Sequence, residues 1–226
     1  MNIEQDGGIS PNTYDETYFE SGLAAGVSGY MNYGWMPELT LRMAHKFIEG
    51  LPIKKGQVVL DFGCAKGFLV KAFRILDVEA YGADVSKYAI AHAPESAREY
   101  CSLIDGCDDG RLFERSYDWL IGKDVFEHLI EDEMRSLLRN ARSNVRKIFG
   151  AIPLAADNES GKYIVPAYDS DITHVTAKTK EWWHELFESE GWRVDSLMYT
   201  FDGCKENWRK WEKGNGFYIA SSTHPL

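Results

Sequence analysis

Apolar positions along the chain follow two periods, and together they predict an alternation of strands and helices. Gln57–Phe62 (QVVLDF), the run EAYGADV closing at Asp84, Tyr117–Gly122 (YDWLIG) and Lys147–Ile152 (KIFGAI) are short, nearly continuous apolar runs. That is the pattern of strands buried on both faces. Between them the period changes. Residues 37–49 start with Pro37 at the first helical position, stack Leu39, Met43 and Phe47 at a spacing of four, and meet Gly50. FLVKAFRIL (68–76) and 86–100 also read as helix, the second bent or broken at Pro94. Met134, Leu137, Leu138 and Ala141 form one apolar face over 131–142, and a last helix carries Trp183, Leu186 and Phe187 and stops at Gly191. WRVDSLMYTF (192–201) and GFYIASS (216–222) close the chain as strands, joined by a polar loop with no helical pattern.

Strands separated by helices predict an α/β, Rossmann-like fold: a mostly parallel sheet with helices on both faces. The two final strands, with no helix between them, predict an antiparallel pair at the sheet edge. Ligands of such sheets sit beyond the carboxyl ends of the strands. A length of 226 residues suits one such domain, 37–226, preceded by a segment 1–36 rich in glycine and aromatic residues.

Charge and composition narrow the function. The net charge of −10 argues against a nucleic-acid partner held through many phosphates. MNIEQDGGIS has neither a basic nor an apolar region of a secretory signal, and no apolar run approaches a membrane span, so no membrane partner is expected. Cys64, Cys101, Cys107 and Cys204 form no CxxC pair and no zinc spacing, as expected of reduced thiols in the cytoplasm.

The strongest local signal is Val58-Val-Leu-Asp-Phe-Gly-Cys-Ala-Lys-Gly67, a strand ending at Asp61, a turn with Gly63 and Gly67, then a helix. Glycine there gives room for a tight turn or for a ligand against the backbone. The helix start offers unpaired N–H groups to an anion. Asp84 closes the next strand 17 residues after Gly67, where a carboxylate can accept both ribose hydroxyls. The turn is GCAKG and not GxGxxG, a poor pyrophosphate cradle. An adenosine whose other end is an amino acid fits better.

VVLDFGCAKG resembles the first motif of class I S-adenosylmethionine-dependent methyltransferases, with Ala65 at a position that is often glycine. YDWLIGKDVFEHL (117–129) resembles the family's fourth strand and the helix after it, and the likeness covers roughly 55–150. The resemblance implies a seven-stranded sheet and S-adenosylmethionine as cofactor. It places Asp61, Gly63, Cys64 and Gly67 around the methionine end, Asp84 and Val85 at the ribose, and Ile104, Asp105 and Gly106 at the adenine. Lys123 and Asp124 follow the fourth strand, where the family contacts cofactor or acceptor.

Methyl transfer from a sulfonium depends on positioning and desolvation, and a cationic sulfonium favours aromatic faces. The leading segment, with Tyr14, Tyr18 and Tyr33, reads either as a lid over the cofactor or as aromatics that plug the core. YDETYFE in it resembles N-terminal segments of small-molecule methyltransferases, including those of surface-polysaccharide gene clusters. Tyr14, Tyr18, Tyr33, Lys123 and Tyr168 are the expected acceptor contacts.

A hydroxyl acceptor requires a base, and histidine suits neutral pH. His45 and His184 fall on solvated helix faces, His92 in the second helix and His224 in the tail. His128 in DVFEHL and His174 in YDSDITHV remain, the latter with Asp169 and Asp171 placed to orient it and raise its pKa. No spacing marks a dedicated metal motif, so no metal is expected.

After the fourth strand stands GKDVF, and not the asparagine, two prolines and aromatic that mark methylation of a nucleobase amine. The resulting expectation is O-methylation of a small polar metabolite: a sugar, a sugar nucleotide or a glycan precursor. Methylation of an amine or protein side chain by the same fold, and a silent cofactor-binding partner subunit, stay open. So does a homodimer. The GCAKG turn disfavours a nicotinamide oxidoreductase.

Overall fold

A seven-stranded sheet is the spine of the computed structural model, which describes residues 7–224. The strands are β1 (Val58–Phe62), β2 (Glu79–Asp84), β3 (Cys101–Leu103), β4 (Tyr117–Lys123), β5 (Val145–Pro153), β6 (Trp192–Met198) and β7 (Asn215–Ser222). Their order is β3-β2-β1-β4-β5-β7-β6. β7 enters between β5 and β6 and runs against both, with Gly150 opposite Tyr218 and Leu197 opposite the same tyrosine. The other strands run parallel, Leu60 facing Tyr81 on one side and Leu120 on the other.

The helices are α1 (Glu16–Glu20), α2 (Gly22–Ala25), α3 (Pro37–Gly50), α4 (Phe68–Ile75), α5 (Lys87–Ala91), α6 (Glu95–Arg98), α7 (Glu131–Ala141) and α8 (Lys180–Ser189). α3 and α4 cover one sheet face through Phe47 and Phe73, against Phe149 and Phe217 of the sheet. α7 and α8 cover the other through Met134, Leu137, Trp183 and Phe187. Both faces of β1 and β4 are therefore buried, which is why those strands read as apolar runs and not as alternations.

Pro94 separates α5 from α6, as the sequence pattern implies, because its ring blocks the preceding helical turn. β3 escapes a pattern reading. Its three residues pair only with β2, Gly82 opposite Cys101, and are too few to show a period. β6 stops at Met198, three residues earlier than the apolar run suggests, because Phe201 turns away to pack on Phe47 with ring centroids 5.5 Å apart. Gly50 lies inside α3, and a Cβ there would sit 2.5 Å from the Phe201 ring, so this glycine makes room for Phe201 more than it ends the helix.

Candidate functional site

β1, β2 and β4 end at one cleft of about 940 Å³ counted to its open mouth. The chain leaves β1 through Gly63 (φ +74°), Ala65 (+49°) and Gly67 (+69°). A Cβ on Gly63 would lie 2.5 Å from Val125 Cγ2, and one on Gly67 2.5 Å from Cys101 Sγ, so packing and backbone both demand glycine. Ala65 adopts the same left-handed region at the steric cost a Cβ brings. Asp84 holds this turn against the next: its Oδ2 accepts from Ala65 N and its Oδ1 from Ser86 N, each at 2.7 Å. Both oxygens keep a second lone pair, and Asp84 lines the cleft. Burial raises its pKa against these two amide hydrogen bonds.

Gly63, Val85, Ile104, Asp105, Gly106 and Asp124 also line the cleft. Asp105 is tied to Arg111 Nη2 at 2.7 Å and stays exposed. Asp61, Cys64, Gly67 and Lys123 do not line it, contrary to the expectation for them. Asp61 is buried beneath the turn, and burial with nearby Asp84 pushes its pKa up to about 8 against the pull of Lys123. Cys64 belongs to the core under α4, where a hydrogen bond with Cys101 and burial push its thiol well up. Gly67 serves packing at the head of α4. Burial works against the Lys123 ammonium, but Asp124 beside it holds it well above its usual value.

Residues 9–33 pass over the cleft, and Tyr14 and Tyr18 face into it with Ile9, Phe19 and Tyr30. Ser86 Oγ donates to Tyr14 O at 2.5 Å, Lys66 bonds to Glu20, and Tyr18 OH donates to Asp171 Oδ2 at 3.0 Å. The segment is thus pinned to the turn after β2, to the turn after β1 and to the loop after β5. Tyr33 lines neither this cleft nor the neighbouring cavity. Its ring packs on Phe68 at 5.2 Å and its carbonyl accepts from Lys66 Nζ at 2.8 Å, away from both cavities.

A second cavity shares Tyr18, Tyr30, Asp124 and His128 with the cleft and adds Glu127, Tyr168, His174 and Trp208. His128 therefore stands at the junction. Thr173 donates to Asp171 Oδ1 at 2.6 Å, so its oxygen accepts from His128 Nδ1 at 2.8 Å. His174 Nδ1 donates to the Tyr168 carbonyl at 2.8 Å. Both imidazoles carry their proton on Nδ1 and leave Nε2 as a lone pair. Burial drives His128 down to about 4 and lowers His174 as well. The expected carboxylate support for His174 is replaced: Asp171 serves Thr173 and Tyr18, and Asp169 accepts from Tyr163 N at 3.0 Å. Desolvation wins, and the pKa falls where a rise was expected.

Two groups at this cavity carried little sequence signal: Glu127 lines it, and Lys205 bonds to its lining residues Asp124 and Tyr168. Glu127 is fully buried, and burial together with Asp124 pushes it up to about 8. Lys205 comes from the locally basic 202–215 loop. It bonds to Asp124 and donates to Tyr168 OH at 3.0 Å. Against burial, these partners hold Lys205 up, and Lys123 and Lys205 hold Asp124 down.

Residues 60–147 match the family model described as a methyltransferase domain. No curated protein matches the chain in sequence. Among solved structures, a Haloferax volcanii chain from a complex with the Trm112 methyltransferase activator superposes with TM-score 0.64 at 14% identity, over 84% of this chain and 92% of that one. Magnesium protoporphyrin IX methyltransferase of Synechocystis PCC 6803, solved with bound S-adenosylhomocysteine, gives 0.61 at 16% identity over 94% and 97%. Mitomycin 7-O-methyltransferase gives 0.55 at 14% identity, over 81% of this chain and 54% of that one. At such identities the likeness establishes the fold.

Proposed function

We propose that this chain, which carries a methyltransferase domain on a Rossmann-like sheet, transfers a methyl group from S-adenosylmethionine to an oxygen of a small polar acceptor. The observation that carries the reading is the meeting of two cavities at His128: one has the glycine turn and Asp84, the other has imidazole lone pairs.

The first cleft suits the cofactor. Gly63 leaves the backbone bare, Asp84 keeps lone pairs for ribose hydroxyls, and Val85, Ile104 and Gly106 supply apolar and backbone surface for adenine. Tyr14, Tyr18 and Tyr30 border the cleft and supply the aromatic, water-excluding surroundings that a cationic sulfonium favours. The cofactor supplies an electrophilic methyl on a sulfonium. We assign the segment 9–33 the role of a lid that opens for exchange.

The acceptor takes the second cavity. Tyr168 and Trp208, with ring centroids 5.5 Å apart, offer a surface on which a sugar ring can lie, and Lys205 stands over Tyr168. A sugar, sugar nucleotide or glycan precursor is the acceptor class this supports. The hydroxyl proton is drawn off at the cluster of His174, His128 and Glu127. Both histidines are neutral near pH 7, so their Nε2 atoms are open to accept it. Free thiols at all four cysteines agree with a reducing, cytoplasmic setting, and no helix among the described residues is long and apolar enough to cross a membrane.

The test is S-adenosylhomocysteine release with a panel of free sugars, sugar nucleotides and matched amines. Hydroxyl acceptors should turn over, and His174→Ala should lower kcat by roughly 10²–10⁴-fold with cofactor binding unchanged. Turnover of amines alone, unaffected in His174→Ala, would overturn the oxygen assignment.

A further inference from the structure

Three groups able to ligate a metal ion converge in the second cavity. One ligand atom from each of Glu127, His128 and His174 lies within 4.8 Å of the other two. Neither oxygen of the Glu127 carboxylate has a hydrogen-bond partner among the described residues, although the side chain is 1% exposed. His174 Nε2 stands 4.0 Å from Glu127 Oε1, too far for a hydrogen bond and close to the span of two ligands of one ion. The imidazole rings lie 4.6 Å apart. The nearest ammonium groups, Lys123 and Lys205, both bond to Asp124 and not to Glu127.

A carboxyl buried without a hydrogen-bond partner beside two imidazole lone pairs is a costly arrangement, and a cation among them would relieve it. The surroundings are built for a metal ion. Each histidine has its Nδ1 proton fixed from behind, His174 by the Tyr168 carbonyl and His128 by Thr173, itself held by Asp171. Such outer partners set the tautomer and the aim of metal-binding imidazoles. The ligands themselves are locked together, because Val175 N and Thr176 N both donate to the Glu127 backbone carbonyl at 3.0 Å. This joins the loop carrying His174 to the turn carrying Glu127 and His128.

We propose that Glu127, His128 and His174 form a binding site for one first-row divalent cation, with the remaining coordination positions open to the second cavity. Two nitrogens and one carboxylate suit Zn²⁺, Fe²⁺, Co²⁺ or Mn²⁺, whereas Mg²⁺ and Ca²⁺ favour all-oxygen sets. Because His128 also borders the cofactor cleft, the ion sits between cofactor and acceptor. Its role rests on the methyl-transfer reading: an acceptor hydroxyl completes the coordination shell, becomes more acidic there and gives its proton to water in the cavity, since both imidazole lone pairs are committed to the ion. The histidines of the loaded protein then act as ligands. The binding itself is independent of that reading.

The experiment is a titration of untagged, chelator-stripped protein with Co²⁺, followed by visible absorption and calorimetry, with Mg²⁺ as a control. One equivalent should bind with d–d bands of a nitrogen-ligated ion, displaced by Zn²⁺, and binding should weaken by at least 10-fold in His174→Ala and Glu127→Gln. Thr173→Val leaves every ligand in place but releases His128 Nδ1, and should weaken binding about 10-fold or more. Thermal melting and S-adenosylhomocysteine binding report whether each variant is folded. No Co²⁺ bound by the native chain, or equal affinity in all three variants, would overturn the site. Stoichiometric Co²⁺ binding by a chain that binds no S-adenosylhomocysteine would remove the methyltransferase reading and leave the metal site standing.

Discussion

Replacing Asp61 by asparagine keeps the shape of the side chain and removes its charge. Asp61 is 4% exposed, and burial with Asp84 lifts its pKa to about 8, with Lys123 too weak an opponent to restore it. Tyr33 and the Cys64 thiol also face it and are neutral at pH 7. In the unfolded chain the same carboxyl titrates near 4. Between about pH 4 and 8 the folded protein therefore holds a proton that the unfolded chain has lost, so this group makes the fold less stable as pH rises. The slope is about 1.4 kcal/mol per pH unit, which amounts to about 4 kcal/mol by pH 7. Asp61→Asn has no such slope. Urea unfolding of both proteins from pH 4 to 8 should give nearly equal stabilities at the acid end and a variant that leads increasingly toward pH 8. Parallel stability curves across the range, or a variant less stable at pH 8, would refute the argument.

Gly63→Ala adds a Cβ 2.5 Å from Val125 at a left-handed position. Backbone strain and overpacking together should cost roughly 2–5 kcal/mol, seen as a lower melting temperature. Glu190 is buried and bonds to Arg135 and Arg139, so its pKa is lowered in the fold. Glu190→Gln should cost about 1–3 kcal/mol at pH 7, a gap that closes as pH falls through the carboxylate range, because the native stabilisation is lost there. Lys66 is buried and joins Glu20 and the Tyr33 carbonyl to the turn after β1, so Lys66→Met should loosen the lid. Stopped-flow cofactor release should become faster in that variant, with the melting temperature changed by only a few degrees.

The strands with long apolar runs, the break at Pro94 and the antiparallel ending were legible because burial on both faces and proline chemistry write themselves into the sequence. β3 was not, since three residues cannot display a period. In the cleft, the positions of Gly63 and Asp84 were legible because ligand sites of such sheets follow strand ends, whereas residues 104–106 were placed only by the family resemblance, since the strand before them shows no period. Asp61, Cys64 and Lys123 share that sequence position but not that exposure: each side chain is covered by packing or by an ion pair that no local motif records. The meeting of Glu127 and His128 with His174 is a tertiary event across more than forty residues, so spacing alone could not mark a metal site. The fall in the His174 pKa likewise follows from burial in a cavity, whereas the neighbouring aspartates alone suggested a rise.

The central claim is that the cleft above β1 and β2 binds S-adenosylmethionine, and calorimetric titration with that cofactor and with S-adenosylhomocysteine tests it most directly. Asp84→Asn keeps an acceptor for only one of the two turn amides and gives up a carboxylate oxygen at the ribose, so its fold is checked by thermal melting beside the titration. The account predicts saturable one-to-one binding by the native chain, weakened by on the order of 10-fold or more in the variant. A folded native chain that binds neither ligand, or a variant that binds both as tightly, would contradict it.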